Sequence, residues 1–363
     1  MNRPVGILYY VTSHGFGHLN RAAAVIESLP SRVRVAGKTH PDQFASWPVS
    51  VRRPCELIAG AFDCGTVIPP GDSSGVDPAA TFAEYERVHA AAVARMDDEI
   101  AFIRERGFAA VVSDVAPLPL RVARSAGVPA ILIGNFTWHD IFSPHARRFG
   151  RRFERLIREM HDEYACADIY LRAQPAVESP PFTRTRDVGL VTRRGRSRRR
   201  ELIESLGLRR DARLAYIYVG RYGQTDIAWQ NLSRLDDFEF VSYHSIGLKL
   251  ANWHAVDPGC WPPRDLAASV DVMVAKAGYG TVSDAMSHRT PLIFPPRHGF
   301  AEHRILAASL RRWGGGIGVS TREFKEMRVL SSLDRAIALR PAVAPWPTNG
   351  ARCCVAEILR VAR

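Results

Sequence analysis

The residues from Lys276 to Asp284 have the types and spacing of an anion-binding turn. They read Lys-Ala-Gly-Tyr-Gly-Thr-Val-Ser-Asp and follow an apolar run that is typical of a short buried strand. Gly278 and Gly280 predict a tight turn, and the residues after them predict a helix with Thr281 near its N-cap. Backbone N–H groups and the helix dipole favour negative charge at such a helix start. With Lys276 beside it, the turn predicts a phosphate-binding site.

Two carboxylates and a histidine accompany this turn. Asp284 is expected one helical turn past the glycines, where its carboxylate would suit the vicinal hydroxyls of a ribose. A second apolar strand, 291–295, leads to Glu302 and His303 ahead of a further helix. A strand–glycine–helix turn alone is common in α/β domains and is weak evidence of function. The cluster of polar residues around this one favours ligand binding.

A second glycine-rich turn lies near the amino terminus. The run 5–11 predicts a first parallel strand, 13–18 read Ser-His-Gly-Phe-Gly-His, and 19–29 predict an amphipathic helix. A histidine titrates near neutral pH and is suited to general base catalysis. His18 and His14 compete for this role, and the structural alternative is that His18 only caps the helix.

Strands and helices alternate along the chain, which predicts an α/β fold with parallel sheets. Ligands of such sheets bind at the carboxyl ends of the strands, and both glycine turns fall there. The pattern divides the chain into two Rossmann-like domains, 1–172 and 173–340. Residues 341–363 contain a predicted amphipathic helix that is free to pack back on the first domain.

The composition favours acidic ligands. The chain has 363 residues and a formal net charge of +12, which fits nucleotide diphosphates, nucleic acid or an anionic membrane surface. The basic run 193–200 has no zinc-finger or RNP motif beside it, so nucleic-acid binding is not expected. No transmembrane segment is predicted, but an arginine-rich helix leaves peripheral membrane contact open.

The cysteines indicate a reducing compartment. The six of them are scattered without a CxxC pair or a zinc spacing, and the first residues lead straight into a strand. We therefore expect a cytoplasmic protein with reduced thiols. No Asp-x-Asp pair stands at a strand end, so no obligatory metal is expected. No other cofactor is expected either. The oligomeric state is not predicted.

Taken in order, four parts of the chain resemble the GT-B glycosyltransferases. The likeness is to the group that includes the peptidoglycan N-acetylglucosaminyltransferases and to the glycosyltransferase-like half of L-arabinokinases. The resemblance implies two Rossmann-like domains that face a central cleft. The segments that carry it are His14–His18; Asp63–Gly65; Ser113–Val115 with Asn135–Trp138; and Lys276–Ala285 with Gly299–Glu302.

The resemblance implies a donor site for a nucleotide diphosphate sugar in the second domain. Lys276 and Arg221 would contact a phosphate, although an exposed turn arginine is the alternative for Arg221. Asp284 would grip the ribose, one methylene shorter than the usual Glu, and Glu302 with His303 would contact the sugar. Leu306 departs from the usual Asn. The residues that would meet the diphosphate are Gly278, Tyr279, Gly280 and Thr281.

The resemblance places the acceptor in the first domain. His18 or His14 would be the base, and Asp114 would orient it or instead cap the next helix. Trp138 would line the acceptor side or pack in the core. The implied acceptor-side residues are Gly15, Phe16, Gly17, Asp63, Asn135 and Trp138.

The reaction implied is inverting, metal-independent sugar transfer to a small-molecule or lipid-linked acceptor. The departing diphosphate would be stabilised by the helix terminus and Lys276. An epimerase or phosphorylase on the same fold is an alternative, because one fold hosts many reactions. A non-catalytic nucleotide-sugar-binding partner protein is another, although the intact histidine-glycine segment weighs against it.

Overall fold

The computed structural model divides the chain into two compact units. Unit 1 comprises Met1–Val67, Val76–Val191 and Asn349–Arg363, and unit 2 comprises Ile68–Gly75 and Thr192–Thr348. The structure describes residues 5–12, 16–69, 75–179, 184–220 and 226–362.

Unit 1 is built on a seven-stranded parallel sheet in the order β3-β2-β1-β4-β5-β6-β7. The central strands are apolar along their length because helices cover both faces of such a sheet. The strands are β1 (Gly6–Val11), β2 (Arg34–Thr39), β3 (Glu56–Ala59), β4 (Phe108–Asp114), β5 (Ala130–Gly134), β6 (Ile169–Ala173) and β7 (Thr185–Val188).

The helices of unit 1 are short. Two of them divide the stretch from 78 to 105, and the second opens with three acidic residues that favour a new helix start. A further break falls at Gly150, whose φ of 87° ends the preceding segment. The helices are α1 (Phe16–Ser28), α2 (Trp47–Ser50), α3 (Pro78–Val93), α4 (Met96–Glu105), α5 (Leu118–Ala126), α6 (Trp138–Ala146) and α7 (Arg151–Tyr164).

Unit 2 has a six-stranded parallel sheet in the order β10-β9-β8-β11-β12-β13. The first strand of the unit lies inside the sheet, which is the doubly wound order of dinucleotide-binding domains. The strands are β8 (Arg213–Tyr218), β9 (Phe238–Ser242), β10 (Trp253–Ala255), β11 (Val272–Ala275), β12 (Leu292–Phe294) and β13 (Gly316–Gly318). The helices are α8 (Arg199–Leu206), α9 (Pro263–Ser269), α10 (Tyr279–His288), α11 (Ala301–Trp313), α12 (Thr321–Lys325) and α13 (Leu330–Ala338).

The boundary predicted after residue 172 is too early. β7 pairs with β6 in the first sheet, so unit 1 continues to Val191. The last helix, α14 (Gly350–Val361), belongs to unit 1 and packs against α1. Gly350 is required there, because an added Cβ would lie 2.4 Å from the carbonyl oxygen of Gly189.

Each sheet has one point where the strand order reverses. In unit 1 this point lies between β1 and β4, and in unit 2 it lies between β8 and β11. The connections diverge there and leave a crevice beyond the strand ends, which is where ligands of doubly wound sheets bind. The expected pair of Rossmann-like parallel sheets is confirmed. No helix in the described part of the chain is long and apolar enough to cross a membrane.

Candidate functional site

The reversal point of unit 1 brings α1 next to the end of β4. Val11 ends β1 and pairs in register with Asp114, the last residue of β4. α1 begins at Phe16, so His18 lies inside its first turn and is not the residue that caps the helix. The capping alternative for His18 is therefore wrong. The short β1–α1 connection instead places the imidazole beside the carboxylate.

His18 and Asp114 form a direct buried pair. His18 Nδ1 lies 2.7 Å from Asp114 Oδ1, and the carboxylate is fully buried. Because an ionised carboxylate only accepts hydrogen bonds, we assign the Nδ1 proton to this contact. Arg21 Nη2, which lies 3.0 Å from Nδ1, then donates to Asp114 Oδ1 and not to the ring. Nε2 then carries the lone pair of the ring. This is the tautomer that a carboxylate-oriented histidine base requires.

Arg21 is a residue of this cluster that the sequence analysis missed. It lies one turn after His18 on α1 and donates from Nε to Asp114 Oδ2 at 2.8 Å and from Nη2 to Oδ1 at 2.7 Å. Its Nη1 donates to Asn135 Oδ1 at 2.8 Å. The sequence contained a signal for Arg21, because it is three residues from His18 and such residues share one face of a helix.

Asp114 stays ionised although its cluster is buried. Burial alone would raise its pKa, but the guanidinium of Arg21 and the imidazole of His18 together keep that pKa below the ordinary value. Asp114 is therefore ionised at neutral pH. The next residue, Val115, has a φ of 71°, which is rare for a β-branched side chain. Such backbone strain is common at functional sites.

Asp63 and Trp138 lie in the same region of unit 1. Asp63 accepts hydrogen bonds from Thr12 Oγ1 and from Trp138 Nε1, both at 2.7 Å. Burial raises the pKa of Asp63. The ring of Trp138 is 6.2 Å from that of His18 between centroids. Trp138 thus packs in the core and also donates a hydrogen bond to Asp63, and its acceptor-side role stays a prediction.

The glycine turn of unit 2 precedes a helix that starts earlier than the sequence analysis predicted. α10 begins at Tyr279 with Gly278 as its N-cap, so Thr281 lies within the first turn and does not cap it. Gly278 has a φ of −95°, and an added Cβ would meet nothing within 4 Å. The backbone therefore does not need glycine there. Its missing side chain leaves open space at the helix start, next to Lys276.

Asp284 lies in the second turn of α10 and is only partly buried. It accepts a hydrogen bond from Thr192 Oγ1 at 3.0 Å. Burial raises its pKa, and the nearby His288 opposes that rise. His288 Nε2 accepts from the backbone N–H of Gly195 at 2.9 Å, so its Nδ1 donates to the carbonyl oxygen of Asp284. Through these contacts, the segment that precedes α8 packs against α10.

Glu302 and His303 lie in the first turn of α11, which begins at Ala301. Glu302 is buried, and its Oε1 is 3.5 Å from Nη1 of Arg297. Burial, followed by the charge of Arg297, lowers the pKa of His303 to about 4. The imidazole is therefore neutral at pH 7. Arg297 is a second residue that the sequence analysis missed.

Some predicted site residues lie outside the described residues, and the rest divide between the two units. His14, Gly15 and Arg221 are in the first group. Within the described ranges, no group of three His, Cys, Asp or Glu side chains has the arrangement of a metal site. Unit 1 holds Phe16, Gly17, His18, Asp63, Asp114, Asn135 and Trp138, and unit 2 holds Lys276, Gly278, Tyr279, Gly280, Thr281, Asp284, Glu302 and His303.

Comparisons with known proteins place this fold among the GT-B glycosyltransferases. A structure of the glycotransferase of kitacinnamycin superposes with a TM-score of 0.67 at 17% identity, covering 99% of this chain and 96% of that one. Phytolacca americana UGT2, complexed with UDP-2fluoro-glucose and pterostilbene, superposes with a TM-score of 0.60 at 13% identity, covering 99% of this chain and 94% of that one. Acinetobacter baumannii MurG superposes with a TM-score of 0.56 at 13% identity, covering 98% of this chain and 100% of that one.

In sequence, the chain is similar to one part of a longer plant protein. It is 30% identical over 344 residues to L-arabinokinase of Arabidopsis thaliana, which covers 92% of this chain. The chain spans about a third of that relative, 32% of its length. No family model matches the chain. The GT-B fold and the relationship to the arabinokinase are thus both confirmed.

Proposed function

We propose that this chain transfers a sugar from a nucleoside diphosphate sugar to an acceptor nucleophile, with inversion at the anomeric carbon and without an obligatory metal. The observation that carries the proposal is the buried His18–Asp114 pair at the reversal point of unit 1. A histidine held by a carboxylate through Nδ1 is equipped to accept a proton at Nε2.

The proposed chemistry assigns the base and the acceptor to unit 1. Nε2 of His18 removes the acceptor proton as the acceptor atom attacks the anomeric carbon. The bond from that carbon to the diphosphate oxygen breaks, and its electron pair leaves with the diphosphate. Asp114 stabilises the imidazolium that forms, because its carboxylate is ionised and 2.7 Å from Nδ1. Attack opposite the leaving group inverts the configuration.

The proposal assigns the donor to unit 2. The start of α10 offers backbone N–H groups to the diphosphate, and Lys276 adds a positive charge there. Asp284 binds the ribose hydroxyls, and Glu302 with His303 contacts the sugar. The UDP-2fluoro-glucose complex of UGT2 supports a nucleotide sugar as the donor class. A cytoplasmic location is part of the proposal.

A thermal-shift screen tests the donor assignment. The wild type and the variants Gly278→Ala and Asp284→Ala are melted with UDP, GDP, dTDP, ADP and their sugars. A ligand that binds only the folded state raises the melting temperature, because at 100 times its Kd it adds about 2.7 kcal/mol to the free energy of unfolding. We expect one nucleotide to stabilise the wild type and both variants to lose most of the shift.

The screen has an outcome that rejects the proposal. If the folded wild type responds to none of these nucleotides, the donor site at α10 is wrong. If the variants respond like the wild type, the ligand binds elsewhere. The unliganded melting temperature of each variant serves as the folding control.

A further inference from the structure

Arg297 is a largely buried cation with one N–H donor that has no hydrogen-bond partner among the described residues. It lies between β12 and α11, and 13% of its side-chain surface is exposed. Its guanidinium stacks on Phe300, with the central carbon 3.6 Å from the ring centroid. Nε is buried and has no hydrogen-bond partner among the described residues. The acid that faces it is Glu302, and their 3.5 Å separation exceeds a good charged hydrogen bond.

This arrangement is costly without a further partner. Burial lowers the pKa of Arg297, and the charge of Glu302 only partly opposes that shift. A guanidinium has five N–H donors, and leaving the buried Nε donor unsatisfied costs free energy. An anionic ligand with two oxygens would accept from Nε and a neighbouring Nη, because the planar fork matches carboxylate and phosphate groups.

The surroundings of Arg297 are otherwise positive or neutral. His303 is neutral at pH 7, since burial and the charges of Arg297, Arg311 and His298 hold its pKa at about 4. Its Nδ1 is also buried without a hydrogen-bond partner in the described part of the chain. Glu302 therefore does not make this turn acidic overall. Arg297 and Arg311 together exceed the single negative charge of Glu302 by one, and two buried polar atoms, Arg297 Nε and His303 Nδ1, have no hydrogen-bond partner among the described residues.

Arg297 lies at the same sheet edge as the phosphate-binding turn. β11 and β12 pair in parallel, with Val274 opposite Ile293, so the turns that follow them are neighbours. In the proposed function, which this inference extends, the turn after β11 holds the diphosphate. Glu302 and His303, in the turn of Arg297, contact the sugar.

We propose that Arg297 binds an acidic group on the donor sugar, so that the donor is a nucleoside diphosphate uronic acid. The proposed function already assigns the start of α10 and Lys276 to the diphosphate. Arg297 belongs to the next turn, with the residues assigned to the sugar. A sugar carboxylate at C6 would give the guanidinium a bidentate acceptor and compensate its buried charge.

Calorimetric titration with UDP, UDP-glucose and UDP-glucuronic acid tests this assignment. The wild type, Arg297→Gln and Arg297→Lys are compared, and the matched control is Arg312→Gln, at an exposed position of α11, the helix that follows Arg297. If the screen above selects guanine instead of uracil, GDP, GDP-mannose and GDP-mannuronic acid replace the uridine set.

We expect the wild type to bind the uronic acid donor about 10- to 100-fold more tightly than the neutral one, as for a charged hydrogen-bonded pair. Arg297→Gln loses that advantage, whereas its affinities for the free nucleotide and the neutral sugar stay within about 3-fold. Arg297→Lys retains part of it, because the charge remains but the fork is lost. Arg312→Gln behaves like the wild type.

Two results would overturn the inference while leaving the proposed function intact. In the first, the wild type binds both sugars equally well, a comparison that requires no variant to fold. In the second, Arg297→Gln weakens the free nucleotide as much as the uronic acid donor, which would assign the guanidinium to the diphosphate. Absence of all nucleotide binding would instead reject the proposed function, and the inference with it.

Discussion

Asp114 accepts hydrogen bonds from two residues of α1, and the two contacts have different consequences. Arg21 binds both carboxylate oxygens, and this ion pair is almost completely buried. His18 binds one oxygen and is the residue with chemistry to perform. Removing one partner of a buried ion pair leaves an uncompensated charge, whereas replacing the histidine does not.

This difference predicts separate effects for two substitutions. Asp114→Asn should destabilise the protein by about 3–5 kcal/mol, because Arg21 loses its buried counter-charge. His18→Gln should cost little stability but reduce transfer by about 10²- to 10⁴-fold. Urea unfolding and initial rates measure the two quantities.

Asp63→Asn is the matched control for the stability effect. Asp63 is also buried, but its hydrogen bonds come from the neutral donors Thr12 and Trp138. Asp63→Asn should lower the free energy of unfolding less than Asp114→Asn does, by about 1–3 kcal/mol. If Asp63→Asn and Asp114→Asn were equally destabilising, the ion pair with Arg21 would not be the reason.

His303 predicts a specific loss of stability in acid. Its folded pKa of about 4 lies below the unfolded value, so folding favours the neutral ring. Its contribution is complete above about pH 6.5 and is lost as the pH falls towards 4. We expect His303→Gln to flatten the fall in melting temperature across this window. Parallel curves for variant and wild type would show that His303 is not the group responsible.

At the scale of elements, buried strands were easier to predict than helix starts. β11 and β12 are continuous apolar runs, which a parallel sheet requires. α1, α10 and α11 each begin before the residue that the sequence indicates, because glycine and polar residues open them. Helical propensity is weak at such positions, and packing against the strand ends decides them.

Substitution by alanine should affect stability differently at two glycines of unit 2. An added Cβ at Gly278 meets nothing within 4 Å, whereas at Gly195 it would lie 2.1 Å from the carbonyl oxygen of Arg264. Gly278→Ala should therefore keep its stability within about 1 kcal/mol, the scale of an N-cap change, but lose nucleotide binding. Gly195→Ala should unfold at a clearly lower temperature. A destabilised Gly278→Ala that still binds nucleotide would contradict this account.

At the scale of the whole chain, the return of α14 to unit 1 is the main long-range feature. The sequence indicated an amphipathic helix at the end of the chain but not its packing surface. The end of unit 1 was also placed too early, because β7 is short, largely exposed and reads Thr-Arg-Asp-Val. Such a polar edge strand lacks the apolar run by which strands are recognised. Arg21 was missed although it is three residues from His18, because the groups that it contacts, Asp114 and Asn135, lie on other elements.

The packing of α14 predicts a large effect from a single truncation. Ile358 is fully buried in unit 1, so Ile358→Ala should cost about 2–5 kcal/mol in chemical unfolding. Arg352→Ala, at an exposed position of the same helix, is the control and should change stability by no more than about 0.5 kcal/mol. Equal effects from the two variants would show that α14 does not contribute its buried face to unit 1.

The most direct test of the central claim follows the anomeric carbon of the donor during the reaction. The nucleotide sugar chosen by thermal shift is incubated with a panel of acceptors, and proton NMR records the anomeric coupling of the donor and the product. We predict loss of the donor signal, release of the nucleoside diphosphate and a product of inverted configuration. His18→Gln should bind the donor normally and form about 10²-fold less product or still less. A product of retained configuration, or undiminished transfer by His18→Gln, would contradict the account.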